Sequence, residues 1–531
     1  MKTMKKTSIY IAALLLVCAT SCTDKFDEIN TDPTRSSEST WDPNFFLPNA
    51  QMSYINLGYD GILYQSTSMQ VLASTFTYYG NGDKYVNTQN STSYQGSLFS
   101  RAYSIGTVLA EMISLTKGKE QYTNLYNVGR IMQAMNMQRA TDVYGDIPYS
   151  EAFKVKEGVA NPKYDTQQSI YTGILTELEQ ATAALDATKL KPTGDLYYAG
   201  DIVKWKKLGY SLMLRAAMRL TKIDPATAKT WAEKAAAGGV FTSNDDNAKI
   251  VSDANNATSG IFNVYQVADD FRELRWSKTF IDALKATNDP RLSAIAEVPQ
   301  PGLANNALQT LVGVNDPAVQ VGLPNGYDLS GGARDIRTAA GYPGATGTGN
   351  DVAPLGKYSR PRISVYLKRN GTLETITYAQ TELLLAEAKV RGWNVPGTAA
   401  EHYANGVTAA MTSLSQLDAT AAITPAAAAA YVAANPLNAT STEASLNAIN
   451  TQYWLATGSY MDFVENWINW RRSGYPVLTP VNYPGNVTNA TIPRRMIYLS
   501  TEIINNKTSY TEAVSRLTGG DLLTGRVWWD K

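Results

Sequence analysis

Apolar residues recur three and four positions apart along much of this chain, a spacing that predicts helices. In Leu125–Tyr144, residues Val128, Ile131, Met132, Met135 and Ala140 fall on one face. Asp165–Leu185 repeats the pattern with Ile170, Ile174, Leu175, Leu178 and Leu185, and Asp165 stands where an N-cap belongs. Asp201–Thr221 opens on another capping residue and runs through Trp205, Leu208, Leu212 and Leu214. Asp224-Pro225 then starts a helix that stops at Gly238-Gly239, with proline inside the start and glycine past the end. Thr377–Arg391 and Ala399–Leu414 make a further pair, and Trp454–Arg472 and Met496–Asn505 close the chain. Strand signals are few and short, such as Ile363–Leu367.

Helix pairs joined by short turns predict a mainly α fold on a tetratricopeptide-like scaffold. Trp205-x-x-Leu208-Gly209 fits the first half of that repeat, but the second half does not follow, and no clean period of about 34 residues is visible. Between the helices lie long segments that a minimal helical array does not need. Tyr78–Gln95 is aromatic and rich in Gly, Asn, Ser and Thr; Val251–Trp276 ends in Phe271, Arg272, Arg275 and Trp276; Pro299–Gly356 is crowded with glycine and proline. Loops this long in a compact domain are usually functional or disordered.

The amino terminus has a different pattern. Lys2, Lys5 and Lys6 precede an apolar run, Ile9–Val17, and Ala19-Thr20-Ser21-Cys22 follows. This reads as a secretory signal, and the run is too short for a membrane-spanning helix, which needs about 20 residues. Small residues leading into cysteine look like the lipobox at which bacterial lipoproteins are cleaved and acylated, although Ala19 stands where leucine is preferred. The expected organisation is a signal peptide over 1–21, a tether over 22–39 acylated on Cys22, and a single domain over 40–531. Cys18 and Cys22 are the only cysteines, so the processed chain would carry neither disulfide nor free thiol. Its stability must come from a packed core.

Charge narrows the function. Basic and acidic residues number 47 each; removing the three signal lysines leaves 44 against 47, a net of −3. That excludes the concentrated basic face nucleic acid requires. Only 18% of residues are charged, and tyrosine outnumbers phenylalanine 32 to 11, which suits wet, flat contact surfaces.

Several stretches, in order, resemble the SusD/RagB family of Bacteroidetes surface lipoproteins, in particular its second, SusD-like branch. These are Cys22-Thr-Asp-Lys-Phe-Asp-Glu-Ile-Asn-Thr-Asp-Pro33, Arg139-Ala-Thr-Asp-Val-Tyr-Gly-Asp-Ile-Pro-Tyr-Ser-Glu-Ala-Phe153, Tyr164–Tyr171, Asn288-Asp-Pro-Arg-Leu292, Glu465-Asn-Trp-Ile-Asn-Trp-Arg-Arg472, Ile492–Tyr498 and Gly519–Asp530. The resemblance implies one domain of tetratricopeptide-like helix pairs whose long loops form the ligand face. It also implies an outer-membrane, surface-exposed location and a SusC-like TonB-dependent transporter as partner. Relatives deliver oligosaccharides, or in some cases peptides, to that transporter.

Catalysis finds little support. His402 is the only histidine, which leaves no His or Cys partner for a zinc site of the usual kind, and its helical position argues against an exposed triad. The acid pairs Asp245-Asp246 and Asp269-Asp270 have the composition, but no more, of a glycosidase dyad. No enzyme activity, metal or cofactor is expected. Binding asks for aromatic planes against sugar C–H faces and Asn, Asp and Arg at the hydroxyl rim. Three loops offer that mixture: Tyr78, Tyr79, Asn81, Asp83 and Tyr85; Phe271, Arg275 and Trp276; and Tyr327 with Arg334. Trp467, Trp470, Arg471 and Arg472 read instead as core and buried pairing, and Trp528-Trp529 as a docking plug.

Overall fold

Helix packing follows directly from the apolar spacing. The computed structural model describes residues 41–531 except 58, 77–80, 88, 253–271, 300–311, 348, 350–351 and 369, and it does not describe the side chains of 81 and 89–94. The signal segment, the tether and Cys22 therefore lie outside the described residues. Asn44–Lys531 forms one compact unit. Its longer helices are α1 (Phe46–Ile55), α2 (Gln89–Thr116), α3 (Thr123–Tyr144), α4 (Gln167–Ala183), α5 (Ile202–Arg219), α6 (Pro225–Gly238), α7 (Lys278–Ala286), α8 (Tyr378–Val390), α9 (Ala399–Thr412), α10 (Pro425–Ala434), α11 (Thr442–Ser459), α12 (Phe463–Ser473) and α13 (Lys507–Ser515). From α2 to α6 each helix packs on the next, and α8 packs on α9 and α11. The chain is mainly α with tetratricopeptide-like helix pairs, as its spacing predicts.

The caps explain the helix boundaries. Asp201, Asp224, Thr377 and Thr398 each accept a hydrogen bond from a first-turn amide. At α4 the cap is Thr166 rather than Asp165. Asp165 is engaged elsewhere: its carboxylate accepts from the amides of Tyr149 (3.2 Å) and Ser150 (2.7 Å), pinning the turn after α3. Within α5, Trp205 is buried and its indole donates to Asp195 at 2.8 Å. Gly209 faces Thr182 so closely that a Cβ there would sit 2.0 Å from the threonine hydroxyl. The half-signature Trp205–Gly209 thus marks a close crossing of α4 and α5.

Short strands form four two-stranded antiparallel ladders among the described residues: β1 (Leu72–Ala73) with β5 (Arg275–Trp276), β2 (Ile147–Pro148) with β3 (Tyr164–Asp165), β4 (Ala248–Val251) with β8 (Thr372–Ile376), and β6 (Ala296–Glu297) with β7 (Arg360–Pro361).

Three sequence expectations are corrected. Ile363–Tyr366 is a helical turn, not a strand; a five-residue stretch is too short for periodicity to decide. Trp454–Arg472 is two helices, because Met461 adopts φ +59° and Asp462 caps α12. The helix expected over Met496–Asn505 begins only at Glu502. Upstream, the amide of Arg494 bonds to Leu523 O (2.8 Å) and that of Met496 to Val143 O (3.2 Å), so the backbone is spent on other elements.

Candidate functional site

The three loops singled out above converge on one layer. Leu72 pairs with Trp276 and Ala73 with Arg275. The Trp276 amide donates to Ser359 O (2.9 Å), Leu323 N to Trp276 O (2.9 Å) and Lys278 N to Leu323 O (2.8 Å). This lacing brings the glycine-rich stretch against β1. There, Ala73, Leu323, Ile336, Leu355 and Tyr358 make a small apolar core of their own, with Tyr327 and Tyr342 packed on its outside.

The third segment is tied in through Asp83. Its Oδ2 accepts from Asn325 Nδ2 (2.9 Å) and from the Gly326 amide (3.0 Å). Burial raises the Asp83 carboxyl, and Lys84 beside it opposes that rise without cancelling it. Gly82 allows the approach: a Cβ there would lie 2.2 Å from Tyr64 O. Tyr85 adopts φ +54°, its hydroxyl accepts from the Val481 amide (3.3 Å), and its carbonyl accepts from Val487 N (2.9 Å). Asp83 and Tyr85, both fully buried, therefore hold loops 325–328 and 481–487 in place rather than facing a ligand.

Arg275 and Trp276 are also interior residues, contrary to the surface role their composition suggested. Trp276 is fully buried and stacked on Phe280 (centroids 5.2 Å apart, 13° between planes), with its indole donating to Ile295 O at 3.2 Å. Pairing with β1 turns this dipeptide inward. Burial lowers the Arg275 pKa, while Nε donates to Leu355 O (3.2 Å) and Nη1 to Leu274 O (2.8 Å). Tyr78, Tyr79 and Phe271 lie outside the described residues, as does the Asn81 side chain.

What faces outward is different. Tyr327 and Arg334 are partly exposed, as their expected role requires. Beside them stand residues the sequence reading passed over. The Tyr483 hydroxyl donates to Asp328 Oδ2 at 2.6 Å, and Arg334 Nη2 donates to Asn482 O. Lys84 Nζ lies 5.7 Å from the Tyr483 ring centroid. Tyr342 donates to Pro354 O at 2.9 Å, and its ring lies 6.2 Å from that of Tyr358. Tyr483-Pro484-Gly485-Asn486 repeats the aromatic–glycine–asparagine composition of Tyr79-Gly80-Asn81, so the signal was present. The face thus offers tyrosine rings, those of Tyr342 and Tyr483 held by their hydroxyls, with the exposed Asn482 and the partly exposed Arg334 beside Tyr483. That chemistry grips a polyhydroxylated ring through its flat face and its rim.

The other candidates are structural. His402 Nδ1 lies 2.6 Å from Glu382 Oε2 and Nε2 lies 2.6 Å from Pro396 O. Asp246 is held by Lys207 Nζ at 2.9 Å and by the Thr242 amide at 2.8 Å; Asp269 and Asp270 lie outside the described residues. Among the described residues no group of three or more His, Cys, Asp or Glu is placed to hold a metal ion, and no helix is long and apolar enough to cross a membrane.

Residues 33–499 match the profile of the SusD-like family, described as "Starch-binding associating with outer membrane". A solved structure described as a chitin-binding protein is 30% identical, with a TM-score of 0.77 over 92% of this chain and 100% of that one. A SusD-like protein from Bacteroidetes AC2a is 25% identical, with a TM-score of 0.78 over 92% and 100%. A chitin-binding SusD homologue from Flavobacterium johnsoniae, 24% identical, shares the fold at a TM-score of 0.72 over 92% and 98%. Comparison with curated proteins returns no match.

Proposed function

Because the chain belongs to the SusD-like family, we propose that it is a cell-surface lipoprotein that captures oligosaccharides. It hands them to a SusC-like TonB-dependent transporter in the outer membrane. The observation that carries this reading is that Tyr327 and Tyr342 pack on the outside of one small core, with Tyr483 tied to the same segment through Asp328 and Arg334 tied to Asn482. The rings of Tyr342 and Tyr483, each held by a hydrogen bond from its hydroxyl, are preorganised, so little conformational entropy is lost on binding. The role is binding rather than catalysis.

The 30% identical relative described as chitin-binding makes β-linked N-acetylglucosamine oligomers the first ligands to test, with α-glucans second. Isothermal titration of the processed chain with chitohexaose and maltohexaose tests the reading. Saturable binding of either supports it; binding of neither, with peptides bound instead, overturns the sugar assignment. Acylation at Cys22 is tested by intact mass after membrane extraction and by Cys22→Ser, which should release the protein from the outer membrane. Detergent pull-down should recover a TonB-dependent barrel.

A further inference from the structure

A second cavity, of about 550 Å³, opens where the carboxyl-terminal segment meets the start of α4 and the end of α13. Its volume lies within the range of about 300–1,000 Å³ typical of small-molecule sites. Gln168, Thr518, Thr524 and Trp528 are among its lining residues, and none of them belongs to the loop face.

Most of the charges in its wall are paired; the ammonium of the exposed Lys531 has no ion-pair partner among the described residues. Arg516 donates from Nε to Asp146 (2.5 Å), from Nη1 to Glu512 (2.8 Å) and from Nη2 to Tyr164 O (3.0 Å), so each of its three nitrogens is engaged. Asp530 accepts from Arg494 Nε (2.8 Å) and Arg526 Nη1 (3.1 Å). A charged ligand would therefore meet groups that are already paired, apart from the exposed Lys531. Four of the neutral groups are not matched: the side chains of Gln168, Thr518, Thr524 and Trp528 make no hydrogen bond among the described residues, whereas those of Thr166 and Gln167 do. The wall is also rigid. Trp529 is fully buried and donates to Asp142 at 2.9 Å, and its neighbour Trp528 leans on Tyr171, 6.4 Å away between ring centroids.

An indole edge, two hydroxyls and an amide without internal partners, in a wall whose charges are mostly paired, suit an uncharged polyhydroxylated ligand. We infer that the cavity bounded by Trp528, Gln168, Thr518 and Thr524 is a second saccharide-binding site, separate from the loop face. Two grips on one molecule would hold a polymer by multivalent contact, raising overall affinity without strengthening either site.

The test uses the processed chain labelled with 5-fluorotryptophan, with the Trp528 fluorine resonance assigned through Trp528→Phe. Chitohexaose and maltohexaose are the probes, and triglycine is the control. The expected result is a saturable shift of the Trp528 resonance with a saccharide. That shift should persist in the loop-face variant Tyr483→Ala and disappear in Thr518→Phe, which fills the hollow from an exposed position. A Trp528 resonance unmoved by both saccharides overturns the inference, whatever the loop face does. So does a shift that vanishes with Tyr483→Ala, which would mean one site, or a shift produced by triglycine alone.

Discussion

Arg219 on α5 and Glu465 on α12 stand 246 positions apart in the chain, yet Arg219 Nη2 donates to both Glu465 oxygens at 2.6 Å in the protein interior. Asp142 from α3 reaches the same guanidinium at 3.4 Å, and Tyr453 from α11 donates to Glu465 at 2.7 Å. One ionic knot thus ties four helices drawn from three parts of the sequence. Breaking such a pair leaves an uncompensated buried charge, which costs about 3–5 kcal/mol. Arg219→Met and Glu465→Gln are each expected to lower stability by that amount, read from urea midpoints. Removing both charges together should cost less than the sum of the two.

The same pair sets the acid response. Burial alone would raise the Glu465 pKa, but Arg219 and Arg215 outweigh it and hold it below the usual carboxylate value. A lowered folded pKa means the native state binds fewer protons, so the stabilisation is full above the unfolded value of about 4.3 and fades as pH falls through the folded one. Urea midpoints of the wild type should drop below about pH 4, and Glu465→Gln should flatten that part of the profile. A variant curve that merely runs parallel would assign the acid loss to other carboxylates.

His402 predicts the opposite slope. Its two ring nitrogens face a carboxylate and a carbonyl, neither of which can donate, so both nitrogens donate and the ring is an imidazolium. Burial works against that charge, but the hydrogen bonds to Glu382 and Pro396 prevail and raise the pKa. A raised value gives stability that is full below the unfolded pKa of about 6.5 and lost as pH climbs through the folded one. His402→Gln should therefore cost about 1.5–3 kcal/mol at pH near 6 and much less at pH near 9. Equal losses at both would remove the charge from the explanation.

The scaffold was legible because its cause is local. Apolar spacing and capping side chains act within a few residues, so α3, α4, α5, α6, α8 and α9 could be placed before any tertiary fact was known. α2 escaped notice although Leu98, Phe99, Ala102, Ile105, Leu109 and Met112 line up on it and are buried, because polar and glycine residues crowd its start. The candidate loops are legible in the sequence as regions, but the direction in which their residues turn is not. Composition cannot tell which way a loop aromatic turns: Trp276 and Tyr85 look like ligand rings, and a two-residue strand and a left-handed backbone turn carry them inward. Tyr483 is not legible as a candidate because it follows the conspicuous Trp–Arg run of α12 and lies 149 or more positions from every other loop candidate.

Glu374 tests whether a buried acid is tolerated at a cost. It lies on β8 opposite Lys249, with Oε2 accepting from Asn247 at 3.2 Å and Oε1 lacking a hydrogen-bond partner among the described residues. Burial pushes its pKa up to about 7, against the pull of Lys249. Here the native state holds the proton longer than the unfolded chain, so stability falls as pH rises from about 4.5 past 7. Glu374→Gln keeps an acceptor for Asn247 without the charge. It should raise stability by up to about 3 kcal/mol at pH near 8 and leave it unchanged near pH 4. Destabilisation at pH 8 would show that the carboxylate is satisfied as it stands.

Trp276 and Tyr483 separate scaffold from ligand contact. Trp276→Ala deletes a fully buried indole stacked on Phe280 and should cost about 3–5 kcal/mol of stability. The fraction that remains folded should bind oligosaccharide with an unchanged Kd. Tyr483→Ala removes a partly exposed ring and should leave the urea midpoint nearly fixed while weakening binding roughly tenfold, about 1.4 kcal/mol. Tyr483→Phe isolates the hydroxyl that donates to Asp328; a loss smaller than that of the alanine variant would assign the larger share to the ring face. Calorimetric titration with chitohexaose gives all three Kd values, and denaturation of the same preparations gives the stabilities. If Tyr483→Ala binds as tightly as the wild type while Trp276→Ala does not, the ligand enters behind β5 rather than on the tyrosine face.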